Sequence, residues 1–318
     1  MPAAREPISK HDIGFPSAGG ECCASLFLPE GTGRPPIVVL GHGIGGSHED
    51  GLEPFARRFA EAGIAALAFT YRHFGGSSGP PRQLLDIESQ LTDWAAAVSY
   101  VRSLPAVDTD RVALWGTSFG GGHVIEVAAR DEKITAVVSQ NPFTDGLAAV
   151  RAANPKSLAR SAIPAMRDEI ARLRKTNPVE IAIVGPPGST AVMTSPDSDD
   201  GYRALIPAGH PFHNGIAARF MNRVPLYRPG RSAKKVSAPI LFCICDQDAV
   251  APARAAARWA ATAPRGEIRR YPVGHFDIYR GQAFEQAVRD QTAFLARHLR
   301  VPESSAPQAP PATLPVPD

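Results

Sequence analysis

Apolar residues in this chain fall into short unbroken runs, separated by longer stretches in which they recur at helical spacing. Residues 37–40, 64–71, 111–115, 134–139 and 239–245 are such runs. A run with no polar alternation suits a strand covered on both faces, as in a parallel sheet. Leu52, Phe55, Phe59 and Ala62 predict a helix over 48–62 that stops at Gly63. Leu85, Ile87, Leu91, Trp94 and Val98 mark the apolar side of a long helix over 84–102. Further helices are predicted from Gly121 to Arg130, over 251–261 and over 282–299, with a last strand over 267–271. Near the start, 8–13 and 21–28 read as a hairpin about Pro16-Ser17-Ala18-Gly19-Gly20. Strands alternating with helices predict an α/β fold, a mostly parallel sheet with helices on both faces.

One stretch breaks the alternation. Residues 142–235 hold a helical segment near 163–175, a Pro/Gly/Ser-rich middle (VGPPGSTAVMTSPDSDDGY) and a short helical candidate at 216–221. An insertion of this length is too long for a loop, and it is expected to cap the carboxyl edge of the sheet. The reading is thus a core in two parts, 1–141 and 236–301, a cap over 142–235, and a disordered Pro-rich tail over 302–318. At 318 residues and 44% hydrophobic composition the chain can bury a core of that size.

Composition then excludes several classes. No apolar run approaches the roughly 18 to 20 residues of a membrane span, and the first residues, MPAAREPISKHD, hold no apolar signal segment. A cytoplasmic protein with no membrane partner is expected. The spacings of Cys22, Cys23, Cys243 and Cys245 match no zinc or redox motif. A net charge of +3 is too mild to suggest a nucleic-acid partner. The charge is unevenly spread, however: residues 142–235 hold 14 Lys plus Arg against 7 Asp plus Glu, a net of +7.

The chemistry is expected at Trp115-Gly116-Thr117-Ser118-Phe119-Gly120-Gly121, between a predicted strand and a predicted helix. A serine at a sharp strand-to-helix turn is thrust above the sheet edge, and only glycine fits at either side of so tight a turn. Its hydroxyl needs a base, and the base needs a group that fixes its tautomer. His275 follows the last predicted strand in YPVGHFD, and Asp248 follows the strand before it in CDQDAVAP. Asp246 is a rival acid in the same loop, and Asp145 in QNPFTDG is a second rival, expected instead to cap the entry to the insertion. His42 is expected to be a structural hydrogen-bonder. His210 and His213 have ligand-like spacing but no third ligand nearby in sequence. Neither a metal nor a cofactor is expected, because the glycine-rich loop at 41–46 lacks a P-loop lysine and the dinucleotide spacing.

The order Ser118, Asp248, His275, the GTSFGG elbow, the Gly41-His42-Gly43 loop and CDQDAVAP together resemble the α/β-hydrolase superfamily, with Cys245 where glycine is more usual. YRHFGGSSGPPR, QNPFTDG and VGPPGSTAVMTSPDSDDGY resemble bacterial hydrolases related to Xaa-Pro dipeptidyl peptidases and fungal polyketide transferases and thiohydrolases. The resemblance implies an α/β-hydrolase fold and an oxyanion hole made by the backbone amides of Ile44 and Phe119. It also implies a serine hydrolase that cleaves an ester, thioester or lactone through an acyl-enzyme on Ser118. Peptidase or acyltransferase activity is the nearest alternative, and a non-catalytic binding protein or a lyase on the same fold is another. Substrate choice is expected in the cap, with Met193, Tyr202, Phe212 and Phe220 around the acyl group, joined by Leu205 and Met221, and with Tyr71 below. The basic cap suggests an anionic or carrier-bound acyl substrate, with Arg203 and Arg219 as the nearest charges. A homo-oligomer is compatible with the sequence.

Overall fold

The buried apolar runs become the centre of an eight-stranded sheet in the computed structural model, which describes residues 8–31 and 33–301. The segment read as a disordered tail, 302–318, lies outside the described residues. In chain order the strands are β1 (Ile8–Ser17), β2 (Gly20–Pro29), β3 (Ile37–Gly41), β4 (Ala65–Phe69), β5 (Val112–Thr117), β6 (Ala136–Gln140), β7 (Glu180–Val184), β8 (Ala191–Met193), β9 (Ile216–Ala217), β10 (Ile240–Cys245) and β11 (Gly266–Tyr271). The helices are α1 (Glu53–Glu61), α2 (Ile87–Val101), α3 (Phe119–Ala128), α4 (Gly146–Ala152), α5 (Pro155–Leu173), α6 (Ser198–Arg203), α7 (Ala253–Ala260) and α8 (Gly281–Leu299).

The main sheet runs β1-β2-β4-β3-β5-β6-β10-β11. β2 is antiparallel to both neighbours, and all pairs from β4 to β11 are parallel. The hairpin turns through Ala18 and Gly19, both at positive φ (42° and 80°), the twist that matches paired strands. Successive strand residues point to opposite faces. In β3, Ile37 and Val39 pack into the cluster with α2 and α3, while Val38 and Leu40 face α1 and α8. Every residue of β3 to β6 and β10 is buried, as their unbroken apolar character requires.

Between β6 and β10 the chain adds α4, α5, α6, a second sheet in the order β8-β7-β9, and three 3₁₀ turns at Ala218–Asn222, Val224–Leu226 and Pro229–Lys235. The helix predicted near 163–175 starts earlier, because Asn154 caps the amides of Lys156 and Ser157 and Pro155 takes the first position. The helix predicted at 216–221 is instead β9 followed by a 3₁₀ turn, and the Pro/Gly/Ser-rich middle carries β8 and α6. Insertion residues Ile183, Met193, Tyr202, Phe220 and Tyr227 belong to the same buried cluster as α2 and α3. The insertion therefore packs onto the core face rather than around a separate centre. Among the described residues no helix is long and apolar enough to cross a membrane.

Candidate active site

The turn from β5 into α3 sets Ser118 at φ 54° and ψ −117°, a conformation that costs a non-glycine residue about 1–3 kcal/mol. Backbone bonds on both sides hold it there. The Ser118 amide donates to the Gln140 carbonyl (3.0 Å) and to Asn141 Oδ1 (3.2 Å), and the Ser118 carbonyl accepts from the Phe143 amide (2.9 Å). A Cβ on Gly116 would run into the Gly120 carbonyl, and one on Gly120 would lie 2.5 Å from the His42 carbonyl oxygen. The two glycines flanking the serine thus have the steric reason expected of them.

Three loops at the carboxyl ends of β5, β10 and β11 bring Ser118, Asp248 and His275 together. Ser118 Oγ is 3.0 Å from His275 Nε2, and His275 Nδ1 is 2.6 Å from Asp248 Oδ2. The other oxygen, Asp248 Oδ1, accepts from the amides of Val250 (2.8 Å) and Ala251 (2.6 Å). That fixes the carboxylate against rotation and leaves one oxygen for the imidazole. The side chains of His275 and Asp248 are each 2% exposed, so the pair sits where charge interactions are strengthened.

The rival acids have other partners. Asp246 pairs with Arg270 at the surface (2.6 Å). Asp145 is buried, caps α4 through the amides of Leu147 and Ala148, and accepts from Arg228, Arg258 and Trp259. Burial alone would raise its pKa, but the bonds from Arg228, Trp259 and Ala148 outweigh that and lower it. His42 donates from Nδ1 to the Gly43 carbonyl (2.9 Å) and accepts from the Tyr71 amide at Nε2 (3.3 Å). Burial pushes its pKa down to about 3, so it is neutral.

The loop after β3 presses against the serine: a Cβ on Gly43 would lie 3.1 Å from Ser118 Cβ. Neither the Ile44 nor the Phe119 amide donates to a protein acceptor among the described residues. The Phe119 amide also opens α3, where helix dipoles favour negative charge. Asn141, which the sequence reading passed over, ties the site together. Its Oδ1 accepts from Thr117 Oγ1 (2.8 Å) as well as from the Ser118 amide, and its Nδ2 donates to the His275 carbonyl (2.9 Å). Its signal in the sequence was a polar side chain directly after a buried strand. Tyr279 also bonds Thr117 Oγ1, and burial raises its pKa to about 12, so it stays a neutral donor.

Two chambers meet at Ser118. The larger, about 440 Å³, is lined by Ile44, Phe143, Val150, Leu158, Met193, Met221, Val224 and Val250 among others, with no charged side chain in its lining. The smaller, about 30 Å³, is bounded by Ser118, His275, Asp50, Met193, Tyr202, Leu205 and Tyr279. Met193 borders both chambers, whereas Tyr202, expected around the acyl group, borders only the smaller one and donates to the Ile44 carbonyl of the glycine-rich loop (2.9 Å).

Three expectations need correction. Tyr71 lines neither chamber: it is fully buried behind the loop, bonded by Trp94 Nε1 (2.9 Å) and donating to the His42 carbonyl (3.3 Å). Phe220 packs edge-on to Phe119 (centroids 5.5 Å apart) in an aromatic cluster with Phe143 and Tyr227, which anchors the insertion to α3. Phe212 packs against Tyr202 with the rings tilted by 35° (centroids 5.3 Å apart) and lines a separate cleft of about 350 Å³ with His210 and Arg82. The cap charges are also engaged elsewhere. Arg219 clamps buried Asp168 (2.7 and 3.0 Å), and Arg203 pairs with Asp199 (2.9 Å). His213 pairs with Glu180 (2.6 Å), and no metal-ligand cluster assembles among the described residues.

A strand order of this kind, with the serine elbow after β5 and the acid and histidine loops after β10 and β11, defines an α/β-hydrolase. The chain belongs to the alpha/beta hydrolase fold family, whose profile matches residues 36–282, and it is a hydrolase. It is 46% identical over 295 residues to the quorum-quenching protein AidA of Acinetobacter baumannii, covering 93% of this chain and 97% of that one. It is 34% identical over 120 residues to the thiohydrolase aneE of Aspergillus aculeatus, covering 38% and 37% of the two chains. Among solved structures, the alpha/beta hydrolase GrgF of Penicillium sp. sh18 superposes with a TM-score of 0.77 at 24% identity, covering 92% and 99%.

Proposed function

We propose that the protein hydrolyses a neutral, apolar carboxylic ester, thioester or lactone through an acyl-enzyme on Ser118. The observation that carries this reading is the Ser118–His275–Asp248 chain of 3.0 and 2.6 Å contacts opening onto an uncharged chamber of about 440 Å³. Chambers of about 300–1,000 Å³ suit small ligands. With Nδ1–H donated to Asp248, His275 Nε2 takes the Ser118 proton as Oγ attacks the carbonyl carbon. The amides of Ile44 and Phe119 hold the oxyanion, an interaction worth about 10²–10³ per donor. His275 then protonates the leaving oxygen or sulfur. Water attacks the acyl-enzyme with His275 again as base, and the small chamber beside both residues, about 30 Å³, has room for one or two waters. That size favours hydrolysis over transfer to a bulky second nucleophile.

The uncharged lining supports a neutral acyl group over the anionic one that composition suggested, because an unpaired charge entering it would lose its hydration without a partner. AidA is named for quorum quenching and aneE is named a thiohydrolase. A small diffusible acyl lactone or an acyl thioester both fit the proposed chemistry. The unpaired cysteines suit a reducing compartment, and we place the activity in the cytoplasm. The test is labelling of Ser118 by a fluorophosphonate, followed by turnover of nitrophenyl esters, acyl thioesters and N-acyl lactones of graded chain length. The expected result is labelling at Ser118 and faster turnover of uncharged acyl groups than of matched carboxylate-bearing ones. Intact substrates across the panel, with Ser118 unlabelled, would refute the reading.

A further inference from the structure

Helix α5 turns Ser157, Ser161, Ala165, Asp168 and Ala171 inward. Its opposite face exposes Ile163 (62%), Met166 (59%), Ile170 (40%) and Leu173 (71%). Spacings of three, four and three residues place these side chains in one stripe along about 15 Å of helix. Single exposed apolar residues are ordinary, but an aligned set is not. Four of the six large hydrophobics exposed among the described residues stand on this one face.

What surrounds the stripe is basic. Arg151, Lys156, Arg167, Arg174 and Lys175 are exposed and have no acidic partner among the described residues. Asp168 is buried under Arg219, and Glu169 is shared by Arg172 (2.7 Å) and Arg223 (3.4 Å). Lys156 stands at one end of α5 and Arg174 and Lys175 at the other, with Arg167 between them and Arg151 on the preceding helix α4. A second copy docked antiparallel would set Lys156 against Arg174 and Lys175, and a parallel copy would set like against like. Charge therefore opposes self-pairing and calls for an anionic partner. A partner both anionic and apolar along one plane is a lipid surface, on which an amphipathic basic helix lies flat. Position agrees with this. The first turn of the same helix supplies Pro155 and Leu158 to the wall of the acyl chamber.

We infer that the exposed face of α5 docks on an anionic lipid surface, with Ile163, Met166, Ile170 and Leu173 inserted among the acyl chains and the flanking Lys and Arg at the headgroups. Apolar acyl substrates dissolved in the lipid then reach the chamber beside its first turn. That last step rests on the proposed hydrolase reading, whereas the docking does not. No membrane span is involved, so the expectation of no membrane partner, drawn from the absence of a span, did not address a helix of this kind.

The test is co-sedimentation of the full chain with vesicles of equimolar phosphatidylglycerol and phosphatidylcholine, against phosphatidylcholine alone. Binding is expected only to the anionic vesicles, and it should fall away in high salt, where the Debye length shrinks to about 3 Å at 1 M. Leu173→Asp, and separately the Ile163→Ser/Met166→Ser pair, should cut the bound fraction by about tenfold or more. Turnover of a short water-soluble ester should be unchanged in these variants, which keeps the result independent of the hydrolase reading. No binding by the unmodified chain, or equal binding by Leu173→Asp, overturns the inference. So does a dimer in sedimentation velocity that Leu173→Asp dissociates, since it would assign the face to a second copy.

Discussion

The proposed reacting groups and the chamber proposed to receive the acyl group come from two regions built in different ways. Ser118, Asp248 and His275 follow β5, β10 and β11, so the sheet itself fixes where each must emerge. Met193, Met221, Val224 and Leu158 come from the insertion, where position depends on how irregular segments pack on one another. Phe220 and Met221 show the contrast: within one 3₁₀ turn, Met221 lines the chamber while its neighbour packs against Phe119. In the core, then, register decides which side chain reaches the site, and in the insertion side-chain packing decides it.

The largest expected effect tests the core. Ser118→Ala should lower kcat by about 10⁴–10⁶ and leave stability and substrate affinity nearly unchanged, since the nucleophile is lost while the chamber stays intact. Stopped-flow turnover with equilibrium binding of an intact ester would show both. Asp248→Asn should lower kcat by about 10⁴, because an amide at that place favours the wrong imidazole tautomer. Asp145→Ala should instead cost stability, on the order of 2–4 kcal/mol, by removing a helix cap and leaving Arg228 without its buried partner. Urea unfolding beside kinetics separates the two aspartates. A larger loss of kcat in Asp145→Ala at full folding would reverse their assignments.

Most of this core was legible in the sequence. Unbroken apolar runs gave the central strands, and Ser118 and Asp248 stand in the loops after two of them, while His275 follows the mostly exposed edge strand β11. Asn141 was not singled out, because its role is visible only once β5 and β11 have brought Thr117, Ser118 and His275 around it. Tyr71 was misread for a related reason. A tyrosine just past a strand end suits a pocket wall, but its hydroxyl is already engaged by Trp94 and the His42 carbonyl. In the insertion, composition named apolar residues without their orientation, and its excess of positive charge is not found in the lining of the larger chamber. Ion pairs such as Arg219 with Asp168 join residues far apart in sequence, so a count of charges by segment could not foresee them.

The next effect belongs to the insertion. Met193→Trp and Met221→Trp each fill part of the chamber from a different side. They should shift preference to shorter acyl chains, with kcat/KM for the longest substrate falling about 10–200-fold and that for acetyl esters nearly constant. A uniform loss across chain lengths would show that these side chains act through the fold and not through the pocket.

The smallest effect lies on the seam between the two regions. His123 on α3 donates from Nε2 to Gln90 Oε1 (2.9 Å), and its Nδ1 accepts from the hydroxyl of Tyr227 in the insertion (2.7 Å). The contact at Nδ1, where the ring accepts, requires a neutral imidazole, and burial lowers its pKa to about 3. In the unfolded chain the same ring protonates near its ordinary value of 6.5. Between those values the unfolded state binds the extra proton, so stability is complete above about pH 6.5 and is lost as pH falls toward 3. One such histidine contributes a slope of up to about 1.4 kcal/mol per pH unit, and His42 adds a second. Carboxylates with depressed values, such as Asp145, enter only near and below their ordinary range, so the interval from about pH 6 to 4.5 belongs mainly to the histidines. His123→Gln should therefore flatten stability against pH in that interval by one histidine's share, whatever it does to stability at neutral pH. Tyr227→Phe should flatten it less, because it removes the donor that demands an unprotonated Nδ1 but leaves the ring buried. An unchanged slope in His123→Gln would mean that the seam does not hold a neutral histidine, and the acid lability of the fold would then have to come from the core's other buried groups.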